Sequence, residues 1–135
     1  MIRSFVVATL LLFSYVTIAG EKTQPAFFAA HCAECHSPRN FLGGIKRGQR
    51  FAGGPDFDGD GFVPNITQKA LSDWSEKDII TMLETGDLPD GDRVGGAMIK
   101  VVRNTAQMSA GDRAAIAAYI KSLPPVDGPR PLPRN

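Results

Sequence analysis

Cysteine and histidine are scarce in this sequence, two of each in 135 residues, and neither sign of charge dominates, the formal net charge being +1. The charge balance excludes the strong basic excess with which a domain binds nucleic acid. The scarcity of cysteine and histidine leaves zinc a four-ligand site only if His31, Cys32, Cys35 and His36 all bind, and six consecutive residues cannot wrap round a tetrahedral ion. No stretch alternates apolar and polar residues in the manner of a strand, and no segment repeats. Strongly periodic segments are few, and 14 glycines and 10 prolines interrupt the chain. A core built from such segments is modest, so a large buried apolar group is expected to supplement it.

The N-terminus does not read as part of a domain. Arg3 precedes an almost unbroken apolar stretch from Phe5 to Ile18, and Thr17-Ile18-Ala19 places small side chains where a signal peptidase reads them. Residues 1–19 are therefore expected to be an export signal. The alternative is an uncleaved anchor, because the stretch from Ser4 to Gly20 touches the lower limit of a bilayer span. Loss of Arg3 makes basic residues equal in number to the 14 acidic ones, a formally neutral mature chain. The domain itself is expected over residues 20–123. Residues 124–135 carry five prolines and read as a tail, an extended surface strand or a disordered arm.

Within the domain, Pro25 to Cys32 reads as a short helix with Pro25 in its first turn and Thr23 as a possible cap. From Ser37 to Thr67 glycine and proline punctuate a long loop, which inside a compact domain is usually functional. Ser75 and Asp78 form a capping box for a helix carrying Ile79, Ile80 and Leu83 on one face and stopping at Gly86. Leu88-Pro89-Asp90-Gly91 is turn chemistry, and the spacing of Met98, Val101 and Val102 predicts a short helix after it. Ser109 and Asp112 open a last helix whose stripe is Ile116, Tyr119, Ile120 and Leu123, ended by Pro124-Pro125. The expected class is all-α with long ordered loops.

Cys32-Ala33-Glu34-Cys35-His36 is C-x-x-C-H. That spacing lets two thiols add to the two vinyl groups of a haem while the next residue's imidazole reaches the iron. In an exported chain two nearby cysteines would ordinarily be read as a disulfide, but the histidine, the helix leading into the motif and a downstream methionine together point to one covalent haem c. A redox dithiol would want a βαβ pattern around the cysteines, which is missing. For the sixth iron position Met82, Met98 and Met108 compete. Met82 lies inside an amphipathic helix and Met108 before the cap Ser109, both packing positions, whereas Met98 follows the flexible Val94-Gly95-Gly96-Ala97, which can bring backbone close to a haem face. Met98 is the first choice and Met108 the second; His31 reads as a surface or packing residue. Asp56 to Gly61 matches the first half of a calcium loop, but Pro64 interrupts it and Thr67 stands where a bidentate Glu is needed, so it reads as an acidic turn.

Taken together, Cys32 to Pro38 (CAECHSP), Phe51-Ala52-Gly53-Gly54, Pro64-Asn65-Ile66-Thr67, Trp74-Ser75, Thr85-Gly86, Pro89-Asp90-Gly91, Met98 and Ala114 to Pro125 (AAIAAYIKSLPP) resemble class I cytochrome c. The likeness is closest to the cytochrome subunits of periplasmic alcohol and gluconate dehydrogenases. It implies the class I cytochrome c fold, with N- and C-terminal helices crossing near Phe28 and Tyr119. It further implies attachment at Cys32 and Cys35, axial ligation by His36 and Met98, and haem-pocket positions for Asn65 and Trp74. The segment Gln68 to Asp73 departs from the family pattern, and the related subunits carry several haems where this chain has one motif.

The function so implied is that of a periplasmic electron carrier rather than an enzyme. Its donor would be a periplasmic dehydrogenase and its acceptor a terminal oxidase or another cytochrome. An iron saturated by histidine and methionine exchanges electrons and has no place for substrate. Two alternatives stand beside it: a haem enzyme or gas sensor with an open sixth position, and a tightly bound subunit of a dehydrogenase complex. Lys46, Arg47 and Arg50, near the motif, form a candidate docking patch. No membrane span remains once the signal is cleaved.

Overall fold

The computed structural model describes residues 31–56 and 61–131. The expected signal, most of the first helix with Phe28, and the central acidic residues Asp58 and Asp60 lie outside them. In chain order the elements are the helical residues 31–35 (α1), β1 (Gly54–Pro55), β2 (Phe62–Val63), α2 (Gln68–Leu71), α3 (Glu76–Thr85), α4 (Met98–Thr105) and α5 (Ala110–Ser122).

Local chemistry sets the ends of the main helices. The Ser75 hydroxyl accepts from the Asp78 N–H at 3.1 Å, and the Asp78 carboxylate accepts from the Ser75 N–H at 2.8 Å, starting α3. Gly86 ends it at φ 82°, a left-handed turn that returns its N–H to the Met82 carbonyl. Ser109 caps α5 through its hydroxyl, which accepts from the Asp112 N–H, and Pro124-Pro125 cannot continue that helix. Replacing Ser75 by alanine is expected to cost about 1 kcal/mol in a denaturant titration. The two hydrogen bonds from Ser75 hold Asp78 below the usual carboxylate range. Since protonation destroys that acceptor, the stabilisation is complete above about pH 4 and is lost as pH falls through the lower pKa of folded Asp78. The stability difference between wild type and Asp78→Asn should therefore shrink in acid; a constant difference would refute the assignment.

The core forms around α5. One side of that helix, Ile116, Ala117 and Ile120, packs on Ile79 and Leu83 of α3, with Trp74, Met82 and Met108 half-buried at the margin. Ile79 is fully buried, and burial of a side chain that size contributes about 2–3 kcal/mol. The other side presents Tyr119 and Leu123 to a second cluster built on Ala33 of α1 and Phe51. The C-terminal helix thus joins the helical frame to the segment bearing the cysteine motif, as expected for class I cytochrome c.

Three features differ from the sequence reading. The loop from Ser37 to Thr67 contains a two-stranded antiparallel sheet, Gly54 opposite Val63 and Pro55 opposite Phe62; two-residue strands are too short to show alternation. The turn α2 follows immediately, capped by Thr67. Helix α4 runs to Thr105, past the apolar pattern, because the Thr105 hydroxyl donates to the Leu83 carbonyl at 2.5 Å and Arg113 binds its final carbonyls. Of the two forms expected for the tail, the hydrogen bonds to Gln49, Asn65 and Thr67 favour a strand laid on the surface. Among the described residues no helix is long and apolar enough to cross a membrane.

Candidate haem site

Helix α1 carries the pentapeptide. The His36 N–H donates to the Cys32 carbonyl at 2.9 Å, so helical winding continues to the histidine, and Cys32 and Cys35, at i and i+3, share one side of it. Cys32 is half-buried and Cys35 exposed. Burial pushes the Cys32 thiol up. Ala33, between them, is completely buried in the cluster with Phe51, which seats this turn on the fold.

The His36 imidazole is oriented by the backbone. Its Nδ1 lies 2.7 Å from the Pro64 carbonyl oxygen. A carbonyl can only accept, so Nδ1 carries the proton and the lone pair sits on Nε2. Burial pulls the His36 pKa down, with the Pro64 hydrogen bond partly opposing it, which favours the neutral ring. A neutral imidazole with Nε2 open and Nδ1–H committed to a carbonyl is the usual state of a metal-binding histidine. Two thiols on one side of a turn ending at such a ring fit a covalent haem.

The acceptor carbonyl is held in turn by chain crossings. The Gly53 N–H donates to the His36 carbonyl at 2.8 Å, the Ile66 N–H to the Phe51 carbonyl at 2.9 Å, and the Phe51 N–H to the buried Ser37 hydroxyl at 2.9 Å. Gly53, at φ 73°, passes so near that a β-carbon would sit 2.7 Å from the Asn65 nitrogen, and only glycine fits. Phe51 takes φ 65°, rare for a residue with a side chain. Its ring offsets that strain, being 2% exposed and edge-on to Tyr119 at 6.2 Å.

The other expected site residues separate. Met98 is the first residue of α4, half-buried, and belongs to neither apolar cluster, whereas Met82 and Met108 pack on the α3–α5 core. Trp74 also lies against that core. The Asn65 carboxamide is used within the protein: Oδ1 accepts from the Thr67 N–H and hydroxyl at 2.8 and 2.7 Å, and Nδ2 donates to the Val126 carbonyl at 2.8 Å. His31 is exposed. Sequence reasoning missed the role of Pro64, although it stands at the head of the quoted Pro-Asn-Ile-Thr run; nothing in the sequence signalled Ser37 or Val126.

A turn of helix presenting two thiols and a pre-oriented neutral imidazole, packed under a long C-terminal helix, defines a haem-attachment domain of the class I cytochrome type. The family model for cytochrome c matches residues 21–124, and the chain belongs to that family. It is 50% identical over 97 residues to a diheme cytochrome c-type protein of Cereibacter sphaeroides, covering 72% of this chain and 32% of the relative. It is 35% identical over 99 residues to the fructose dehydrogenase cytochrome subunit of Gluconobacter japonicus, covering 70% and 20%. A third relative, the cytochrome c subunit of the quinone alcohol dehydrogenase of Gluconacetobacter polyoxogenes, is 37% identical over 105 residues, covering 71% and 22%. The chain thus spans less than a third of the length of each. Family membership implies covalently bound haem c and a role in electron transfer, related to dehydrogenase cytochrome subunits.

Proposed function

We propose that the chain is a mono-haem electron carrier of the periplasm, passing single electrons from a periplasmic dehydrogenase toward a terminal oxidase or another cytochrome. The observation that carries the reading is the Nδ1–H of His36 committed to the Pro64 carbonyl. When bound, the haem supplies a one-electron iron couple. Cys32 and Cys35 would hold it covalently, His36 and Met98 would take the two axial positions, and a single C-x-x-C-H motif supports one haem. With both axial positions filled by protein, the site has no substrate position and the chain is a carrier rather than an enzyme. Export rests on residues 1–19 as a cleaved signal. A haem stain of a denaturing gel tests attachment: wild type should keep the stain and Cys32→Ala with Cys35→Ala should lose it, while an unstained wild type would sink the reading.

The dehydrogenase subunits among the relatives favour a second reading, a stably bound subunit. Gel filtration with the dehydrogenase separates them, since a subunit co-elutes and a carrier does not. For either, contact is expected through the loop that follows the motif. Between Pro38 and Pro55 it holds four basic residues and no acidic one, and Lys46, Arg47 and Arg50 are exposed. Their partner should therefore be acidic. Lys46→Glu with Arg47→Glu should slow second-order electron exchange with the dehydrogenase about tenfold at low salt, and the difference should vanish as salt screens it. A salt-independent rate would refute the patch.

A further inference from the structure

Residues 125–131 lie beyond the stretch matched by the cytochrome c family, yet they are fastened to the body at several points. The Val126 carbonyl accepts from Asn65 Nδ2 at 2.8 Å, and the Val126 N–H donates to the Thr67 hydroxyl at 3.1 Å. The Asp127 carbonyl accepts from the Gln49 side chain at 3.2 Å, and the Asp127 carboxylate pairs with Lys69 at 2.8 Å. Gly128 passes so close to Ala52 that a β-carbon would overlap the Ala52 carbonyl. Thr67, 1% exposed, is the hub, because its hydroxyl donates to Asn65 and accepts from Lys69 and Val126.

Two of these anchors, the Val126 carbonyl on Asn65 and the Thr67 hydroxyl that binds both Asn65 and Val126, lead to one peptide group. The Pro64 carbonyl that orients His36 belongs to the peptide joining Pro64 to Asn65, and a peptide is planar, so fixing Asn65 fixes the direction in which that oxygen points. One side of the plane is closed by the Gly53 backbone, whose absent β-carbon would lie 2.8 Å from the Pro64 carbonyl carbon. The Asn65 side chain ties the same residue to the strap through Val126.

We infer that Asn65 is a positioning residue for the His36 imidazole, and that the C-terminal strap is the clamp through which it acts. This rests on His36 being the proximal haem ligand. Without the strap, Asn65 loses its Val126 partner, the 64–65 peptide can rock, and the imidazole plane turns with it. The exposed Lys69–Asp127 pair contributes little to this.

The test compares wild type, a chain ending after Pro125, Asn65→Ala, and Asp127→Ala as the control that removes only the exposed ion pair. Two readouts follow the ring: the solvent-exchange rate of His36 Nδ1–H, which reports it directly, and the pattern of paramagnetically shifted haem methyl resonances in the oxidised protein, which responds to the orientation of both axial ligands, the imidazole plane among them. Truncation and Asn65→Ala should each speed the exchange at least about tenfold, which corresponds to about 1.4 kcal/mol, and reorder the methyl pattern; Asp127→Ala should do neither. Unchanged exchange and methyl pattern in Asn65→Ala and the truncated chain would overturn the inference while leaving haem attachment intact. An unstained wild type on a denaturing gel would overturn the ligand reading itself, and this inference with it. Should the truncated chain fail to hold haem, Asn65→Ala decides the matter alone.

Discussion

Replacing Met98 by alanine is expected to abolish the weak far-red absorption of the oxidised protein and to open the reduced protein to rapid binding of carbon monoxide. The three candidate methionines have different surroundings. Met82 and Met108 pack on the cluster of Ile79, Leu83, Ile116, Ala117 and Ile120, where a thioether fills space and its loss leaves a partial cavity. Met98 starts α4 half-buried and outside both clusters. Alanine at Met82 or Met108 should therefore cost about 1–3 kcal/mol of stability and leave the band in place, whereas alanine at Met98 should remove the band with little loss of packing. The thioether ligand also favours reduced iron, so the potential of the Met98 variant should fall. A far-red band that survives in Met98→Ala but disappears in Met108→Ala would move the sixth ligand to Met108. Absence of the band in wild type would favour a haem enzyme or sensor with an open position.

The second large effect is expected far from the motif, at Arg113. Only 6% of this residue is exposed. Its Nη1 donates to the carbonyls of Met108 at 2.6 Å and of Thr105 and Ala106 at 3.3 Å, and its Nη2 to Glu84 at 2.8 Å. One guanidinium thus satisfies the end of α4, the entrance to α5 and a side chain of α3. Alanine there leaves several carbonyls without that donor. Glu84 is half exposed and can return to water, so the loss should come mainly from the carbonyls, about 3 kcal/mol and a fall in melting temperature of about 10–20 °C. Lysine should recover less than half of it, because a single ammonium cannot spread over the same acceptors as a planar fork. Thermal unfolding of the oxidised protein checks this; a loss under about 1 kcal/mol would show that water replaces the guanidinium.

Arg113 also shows where a sequence stops being legible. As a string, Asp112-Arg113-Ala114 is an ordinary polar turn of an amphipathic helix, and nothing near it announces a buried cation. Three of its acceptors lie five to eight residues back, brought round by the turn between α4 and α5, and Glu84 of α3, 29 residues back, is supplied by helix packing. Asn65 is a parallel case. The resemblance implies a haem-pocket position for it, and the structure adds that its carboxamide binds Thr67 and Val126. Trp74 likewise packs on the α3–α5 core.

Determined by the sequence alone were the cysteine motif, the capping box at Ser75, the cap at Ser109, the stop at Gly86, the apolar stripe of α5 and the class of the fold, because each depends on residues within about one helical turn or on a short repeating period. Only the tertiary structure decided which carbonyl orients His36, 28 residues away, and that the proline-rich tail is a strap joined to Asn65 across 61 residues and to Gln49 across 78. Such contacts carry no local signature: their donors and acceptors are ordinary amides and carbonyls. Which of them meet is settled only when α1, the sheet loop and α5 have packed.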